Sequence, residues 1–218
     1  MGTAKRARLT VDERREQLVR LGVRIFSERP YDEVSIDGIA AAAGISKGLL
    51  YHYFPSKRDF YVAVVRHGAQ EMEDATLVDD ALTPEEGLAA GLERYLDYVE
   101  EHASGFSAVL GAGIGNDPEV RAIVDDVRRV MTDRIVENLR DRVHPTVRPT
   151  PAVRIAVRGW VGFAEAASLD WLEHREVSRE QLNDLLVWAL GLAEPRRAPR
   201  SAAAATVPRP WAPPSAPA

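Results

Sequence analysis

The chain has 218 residues, 45% of them hydrophobic and 28% charged, with a net charge of −5 and no cysteine. This composition suits a globular protein of one or two domains with a sizeable core. It excludes disulfides, thiolate metal sites and cysteine nucleophiles, and no apolar run nears the roughly 18–20 residues needed to span a bilayer.

The opening MGTAKRARLT is basic and lacks the apolar stretch of a signal peptide, so a cytoplasmic protein is expected. Thr10-Val11-Asp12-Glu13 reads as a capping box and opens a first helix. Leu18, Leu21, Ile25 and Phe26 share one face of it, and Glu28 to Tyr31 ends it. Ser35 caps a short alanine-rich helix from Ile36 to Ala43, and Gly44 stops that helix. Ser46 opens a second short helix to about Tyr53, which Pro55 breaks. Ser56 to Asp59 reads as another capping box, opening a helix to about Leu77.

Further starts stand at Thr83-Pro84, Asp117-Pro118, Thr150-Pro151 and Ser178-Arg179-Glu180-Gln181. No stretch alternates with the period of a strand. The fold expected is all-α, with about nine helices. Residues 195–218 hold seven Pro and eight Ala, a composition that predicts a disordered tail.

Charge is uneven along this order. Residues 1–60 carry a net +3, residues 195–218 a net +4, and residues 61–194 the remaining −12. Either the helix faces are simply solvated, or the N-terminal end accepts a polyanion that the middle repels.

Two short helices joined by Gly44-Ile45 have the form of a helix-turn-helix. Ile36, Ile39, Ala40, Ala43, Ile45, Leu49 and Leu50 are spaced to pack the pair together. The second helix then offers its N-terminal residues to a major groove. Ser35 and Ser46 put hydroxyls at helix N-termini, where a phosphate is favoured, although either can be a cap alone. Lys47 sits in a first turn, a poor place for a cation unless an anion is near, and can reach a phosphate or a guanine edge. Gly48 costs helix stability but lets the helix lie close to a duplex. Tyr51, His52 and Tyr53 fan over about 200° of helix, so they cannot all be core. Leu50 and Phe54 share the inward face.

The run SIDGIAAAAGISKGLLYHYFPSKRDF, Ser35 to Phe60, resembles the DNA-binding domain of TetR-type transcriptional regulators. Two residues depart from the family pattern: Tyr53 stands where His is common and Phe60 where Leu is common. A helix-turn-helix of the LacI type shares part of the run but requires a long α/β domain, for which the chain is too short. The resemblance covers residues 10–72 strongly and implies that Tyr51, His52, Tyr53 and Lys57 join Ser35, Ser46, Lys47 and Gly48 at DNA. Arg58 either adds to these or is a solvated surface residue.

The resemblance also implies three segments: a DNA-binding domain over 10–72 with its motif at about 35–54, a helical ligand-binding and dimerisation domain over 73–194, and the tail over 195–218. The implied partners are double-stranded operator DNA, a second copy of the chain through the last two helices (about 150–193), and a small apolar or amphipathic ligand. Candidate pocket residues are Tyr95, Tyr98, Phe106, Leu110, Trp160 and Phe163, with His102 and Glu165 as possible polar anchors. No cofactor, metal site, catalytic group or membrane contact is expected. Gly111 to Glu119 lacks the Gly-Lys-Ser/Thr ending of a phosphate loop and reads as an inter-helix loop. The function implied is a repressor released by a small molecule. Alternatives are a regulator that needs no ligand, and a helical-bundle enzyme whose likeness in the first domain is accidental.

Overall fold

The structure is a computed structural model that describes residues 10–79, 81–111, 113–138 and 150–191. The expected tail at 195–218 and the last positions of the expected dimerisation segment lie outside the described residues. Among the described residues there are nine α-helices, two 3-10 turns and no strand. In chain order the helices are α1 (Val11–Glu28), α2 (Ile36–Ala43), α3 (Lys47–Tyr53), α4 (Lys57–Ala75), α5 (Pro84–Glu101), α6 (Ala103–Leu110), α7 (Pro118–Asn138), α8 (Pro151–His174) and α9 (Arg179–Ala189). No helix among them is long and apolar enough to cross a membrane.

The caps do what their sequences specify. Thr10 and Glu13 bond reciprocally, with the Thr10 N–H donating to Glu13 Oε2 at 2.7 Å and the Glu13 N–H to Thr10 Oγ1 at 3.2 Å. Ser178 and Gln181 form the same box at α9. Ser56 is different: it accepts from the Asp59 N–H at 3.1 Å, but the aspartate returns to the Ser56 hydroxyl at 2.7 Å instead of its backbone N–H. Asp is one methylene shorter than the Glu of a full box. One helix had no signal in the sequence. α6 follows His102, its N-cap, which makes no side-chain capping bond.

Gly44 closes α2 with φ 64°, the left-handed conformation that an L side chain resists. The Ile45 N–H then turns back to the Ala40 carbonyl at 3.0 Å. This turn sets the crossing of α2 and α3. Below it lies the first core, where Leu18, Phe26, Ile39, Leu50, Phe54, Phe60 and Tyr61 are all buried. Leu49 does not join them. It is 40% exposed, because Leu50 and Phe54 already occupy the inward face and Leu49 is turned about 100° away.

Helix α1 lies tightly on α4 at Gly22: a Cβ there would sit 2.7 Å from Phe60 Cζ and closer still to Val64 Cγ2. Val120 and Ile123 of α7 also enter the first core. The second core joins α5, α8 and α9 through Leu92, Leu96, Trp160, Trp171, Leu182 and Leu186. Both tryptophans satisfy their indole N–H, Trp160 on the Leu186 carbonyl and Trp171 on that of Val177, each at 2.9 Å.

The outer face of α8 and α9 stays open. Ile155 is 73% exposed, Phe163 40%, Leu185 41% and Trp188 49%. Nothing lies within 4 Å of a Cβ built on Gly159 or Gly162.

Candidate nucleic-acid interface

Helix α3 is held by its inward residues and offers the rest. Leu50 and Phe54 are essentially inaccessible, while Ser46, Lys47, Gly48, Tyr51 and His52 are exposed along the outer side. Gly48 has nothing within 4 Å of a built Cβ, so the surface there is open to a close partner. Tyr53 leans inward instead, half-buried against the first core, with the His52 ring edge-on to it at 5.5 Å. Of the three consecutive rings, Tyr51 and His52 face out and Tyr53 mostly does not.

The two serines act as caps. Ser35 Oγ accepts from the Gly38 N–H at 3.0 Å and Ser46 Oγ from the Leu49 N–H at 3.2 Å. Each hydroxyl still carries a proton to donate, so a cap can also bind a phosphate.

The cations are not idle. Lys47 Nζ donates to Asp37 Oδ2 at 2.9 Å, across the pair from α3 to the start of α2. That hydrogen bond, with the Asp37 charge, raises the Lys47 pKa above the ordinary lysine range. Lys57 Nζ rests 4.0 Å from the centre of the Tyr31 ring, a cation–π contact. Arg58 is partly exposed at the surface, but its guanidinium is not free. Its guanidinium grips Asp117 at 2.6 and 2.7 Å and reaches Glu119 at 3.3 Å. Arg66 holds Glu119 from about two turns further along α4, also at 3.3 Å. The Arg58 bond holds the Asp117 carboxyl below its usual range, helped by the Glu119 and Val120 N–H groups at the start of α7. Sequence marked Asp117 as a helix start but gave no sign of its partner, which lies 59 residues away.

Two cavities lie among the other helices. The larger, about 410 Å³, sits between α4, α5, α7 and α8 and is lined by Met72, Leu92, Tyr95, Met131 and Trp160, among others. The smaller, about 120 Å³, lies between α1, α4, α5, α6 and α7, against Phe26, Val65, Tyr98, Phe106 and Leu110. The six expected pocket residues therefore divide: Tyr95 lines both cavities, Trp160 the larger, and Tyr98, Phe106 and Leu110 the smaller. Phe163 lines neither and belongs to the open outer face of α8. Glu165 borders both cavities and is clamped by Arg128 at 2.8 to 3.0 Å. His102 borders the smaller one, stacked on Tyr98 at 4.3 Å. No group of three or more His, Cys, Asp or Glu is arranged to hold a metal among the described residues.

Residues 18–64 match a family described as bacterial regulatory proteins, tetR family, and residues 84–191 one described as tetracyclin repressor-like, C-terminal domain. A tetR-family transcriptional regulator from Streptomyces coelicolor, solved by crystallography, superposes with a TM-score of 0.74 at 36% identity, covering 82% of this chain and 79% of that one. The transcriptional activator FasR of Mycolicibacterium smegmatis is 29% identical over 138 residues, 62% of this chain and 63% of its own length. The transcriptional regulator AcuR of Cereibacter sphaeroides is 32% identical over 120 residues, 53% of each. The matched region thus spans about half to two thirds of these curated relatives. With both halves matched and a 36% identical relative covered over most of its length, the chain belongs to the TetR family of bacterial transcriptional regulators.

Proposed function

We propose that this protein is a DNA-binding transcriptional regulator that works as a homodimer and lays α3 of each copy in a major groove. The observation that carries the reading is the outward row of Ser46, Lys47, Gly48, Tyr51 and His52 on a helix whose other side is anchored by buried Leu50 and Phe54. Ser35 and Lys57 flank the row and supply phosphate contacts, with Tyr53 a secondary contact at its edge. Residues 10–72 act as the DNA-binding domain and 73–194 as the ligand-binding and dimerisation domain. The enzyme alternative falls away with family membership, since the family and the relatives named above are regulators.

The open apolar face of α8 and α9 supports dimerisation through those helices. Two recognition helices then meet half-sites about 34–36 Å apart or a multiple of it. The larger cavity falls within the roughly 300–1,000 Å³ typical of ligand pockets and supports a small apolar or amphipathic effector. A DNA partner implies the cytoplasm. Repression relieved by the ligand is the sign we favour; FasR, a named activator, is the relative that argues the other way.

Selection of bound fragments from the source genome tests the reading. Recovery of a discrete set of fragments sharing an inverted repeat, each shifted by the purified protein, is the expected result. Uniform recovery of genomic DNA, or none, overturns it.

A further inference from the structure

The two cavities share a wall. Tyr95, Met72, Val127 and Glu165 border both, so the larger space in the helical domain and the smaller one beneath α1 are separated by a few side chains. Two of these are held only weakly where the cavities meet. The buried Tyr95 hydroxyl has the Ser168 hydroxyl as a side-chain neighbour and makes no strong hydrogen bond to it. Met72 has an unbranched, flexible side chain of the kind that adapts to its neighbours.

The cavities also differ in chemistry. Thr76, Arg128 and Arg134 stand at the larger one. The smaller is walled mainly by apolar groups, including Phe26 from α1 and Val65 from α4. At about 120 Å³ it is too small to be a ligand site by itself.

We propose that the two cavities form one site for an elongated amphipathic molecule, whose polar head stays in the larger cavity and whose unbranched apolar tail passes Tyr95 and Met72 into the smaller. This rests on reading the helical half as a ligand domain and goes further, because the tail ends against the DNA-binding half. α1 and α4 carry the core that anchors α3. A molecule too short to pass Tyr95 binds without touching that core. A longer one wedges between α1 and α6 and shifts the platform of the recognition helix. The effector is therefore sensed by length.

Straight-chain carboxylates from hexanoate through decanoate and tetradecanoate to octadecanoate provide the test, titrated against the full chain by intrinsic fluorescence, since Trp160 lines the larger cavity. Hydrogen exchange along α1 and α4 is the second readout. Ala69 borders only the smaller cavity, so Ala69→Phe fills it, and Ala69→Met fills it less should the larger side chain impair folding. In the unaltered protein, binding tightens by about threefold to fourfold per methylene, and continues past the length at which the Ala69 variants stop gaining. Exchange in α1 changes only with probes beyond that length. A common cut-off in all three proteins, no binding by any probe, or long probes that leave α1 unchanged would overturn the proposal. None of these readouts uses DNA, so they leave the regulator reading to its own test.

Discussion

Lys47 and Asp37 meet at 2.9 Å on the exposed side of the helix pair, with half or more of each side chain in solvent. An ion pair so exposed adds little to stability, because both partners are well hydrated and salt screens them. Its value is positional: the aspartate holds the ammonium at one point beside Gly48 and Tyr51. Asp37→Asn is expected to leave the melting temperature nearly unchanged while altering binding in two ways. Overall affinity rises, since a negative charge leaves the neighbourhood of the phosphates, and the ratio of operator to non-specific binding falls, since Lys47 is no longer aimed. Lys47→Ala lowers operator affinity by roughly fivefold to a hundredfold if the ammonium reads a base edge. Fluorescence anisotropy with operator and scrambled duplexes measures both. An unchanged specificity ratio in Asp37→Asn removes the positioning role.

At the scale of elements, two joints decide how α4 sits. The first is steric. Gly22 is buried where α1 crosses α4, with no room for a methyl against Phe60 and Val64. Alanine would gain up to about 1 kcal/mol in helix propensity, yet overpacking costs about 1–3 kcal/mol. Gly22→Ala therefore lowers the melting temperature, and a rise in thermal denaturation would mean the helices separate freely. The second joint is the Arg58–Asp117 clamp between the starts of α4 and α7. Asp117 has its pKa lowered in the fold, so its contribution is complete above the unfolded value near 3.9 and is lost as pH falls through the lower folded value. Asp117→Asn keeps an oxygen for the helix cap and removes only the charge. Its melting temperature is expected to lie below that of the unaltered protein at pH 7, with the gap closing in strong acid. A gap that persists at low pH assigns the effect to the cap instead.

The same elements show what was legible in advance. Ser, Thr, Pro and Gly at fixed places marked eight of the nine helices, because capping is local chemistry written within four residues. α6 lacks such a cap and leaves no local signal. The Arg58–Asp117 clamp is illegible for a different reason: the aspartate comes from a helix that only the folded chain brings near. Leu49 and Phe163 are apolar and suitably spaced for an inward place, yet each is 40% exposed. Periodicity says which residues share a face, but not whether another helix covers it.

For the whole molecule, the open face on α8 and α9 carries the largest consequence. Ile155, Gly159 and Phe163 recur at intervals of four along α8, and Leu185 and Trp188 continue the apolar surface on α9. Small residues let a second helix approach, and large ones on either side fill the contact. Because these side chains project outward, replacing them leaves both cores intact. Phe163→Glu combined with Trp188→Glu is expected to convert a dimer to a monomer in sedimentation at micromolar concentration, with the helical circular dichroism unchanged. Operator binding then falls by about a hundredfold or more, since each recognition helix loses the effective concentration that its partner provided. Non-specific affinity per copy changes little, because the α3 surface is untouched. A variant that stays dimeric places the interface elsewhere; one that becomes monomeric yet holds its operator as tightly shows that a single copy suffices for recognition.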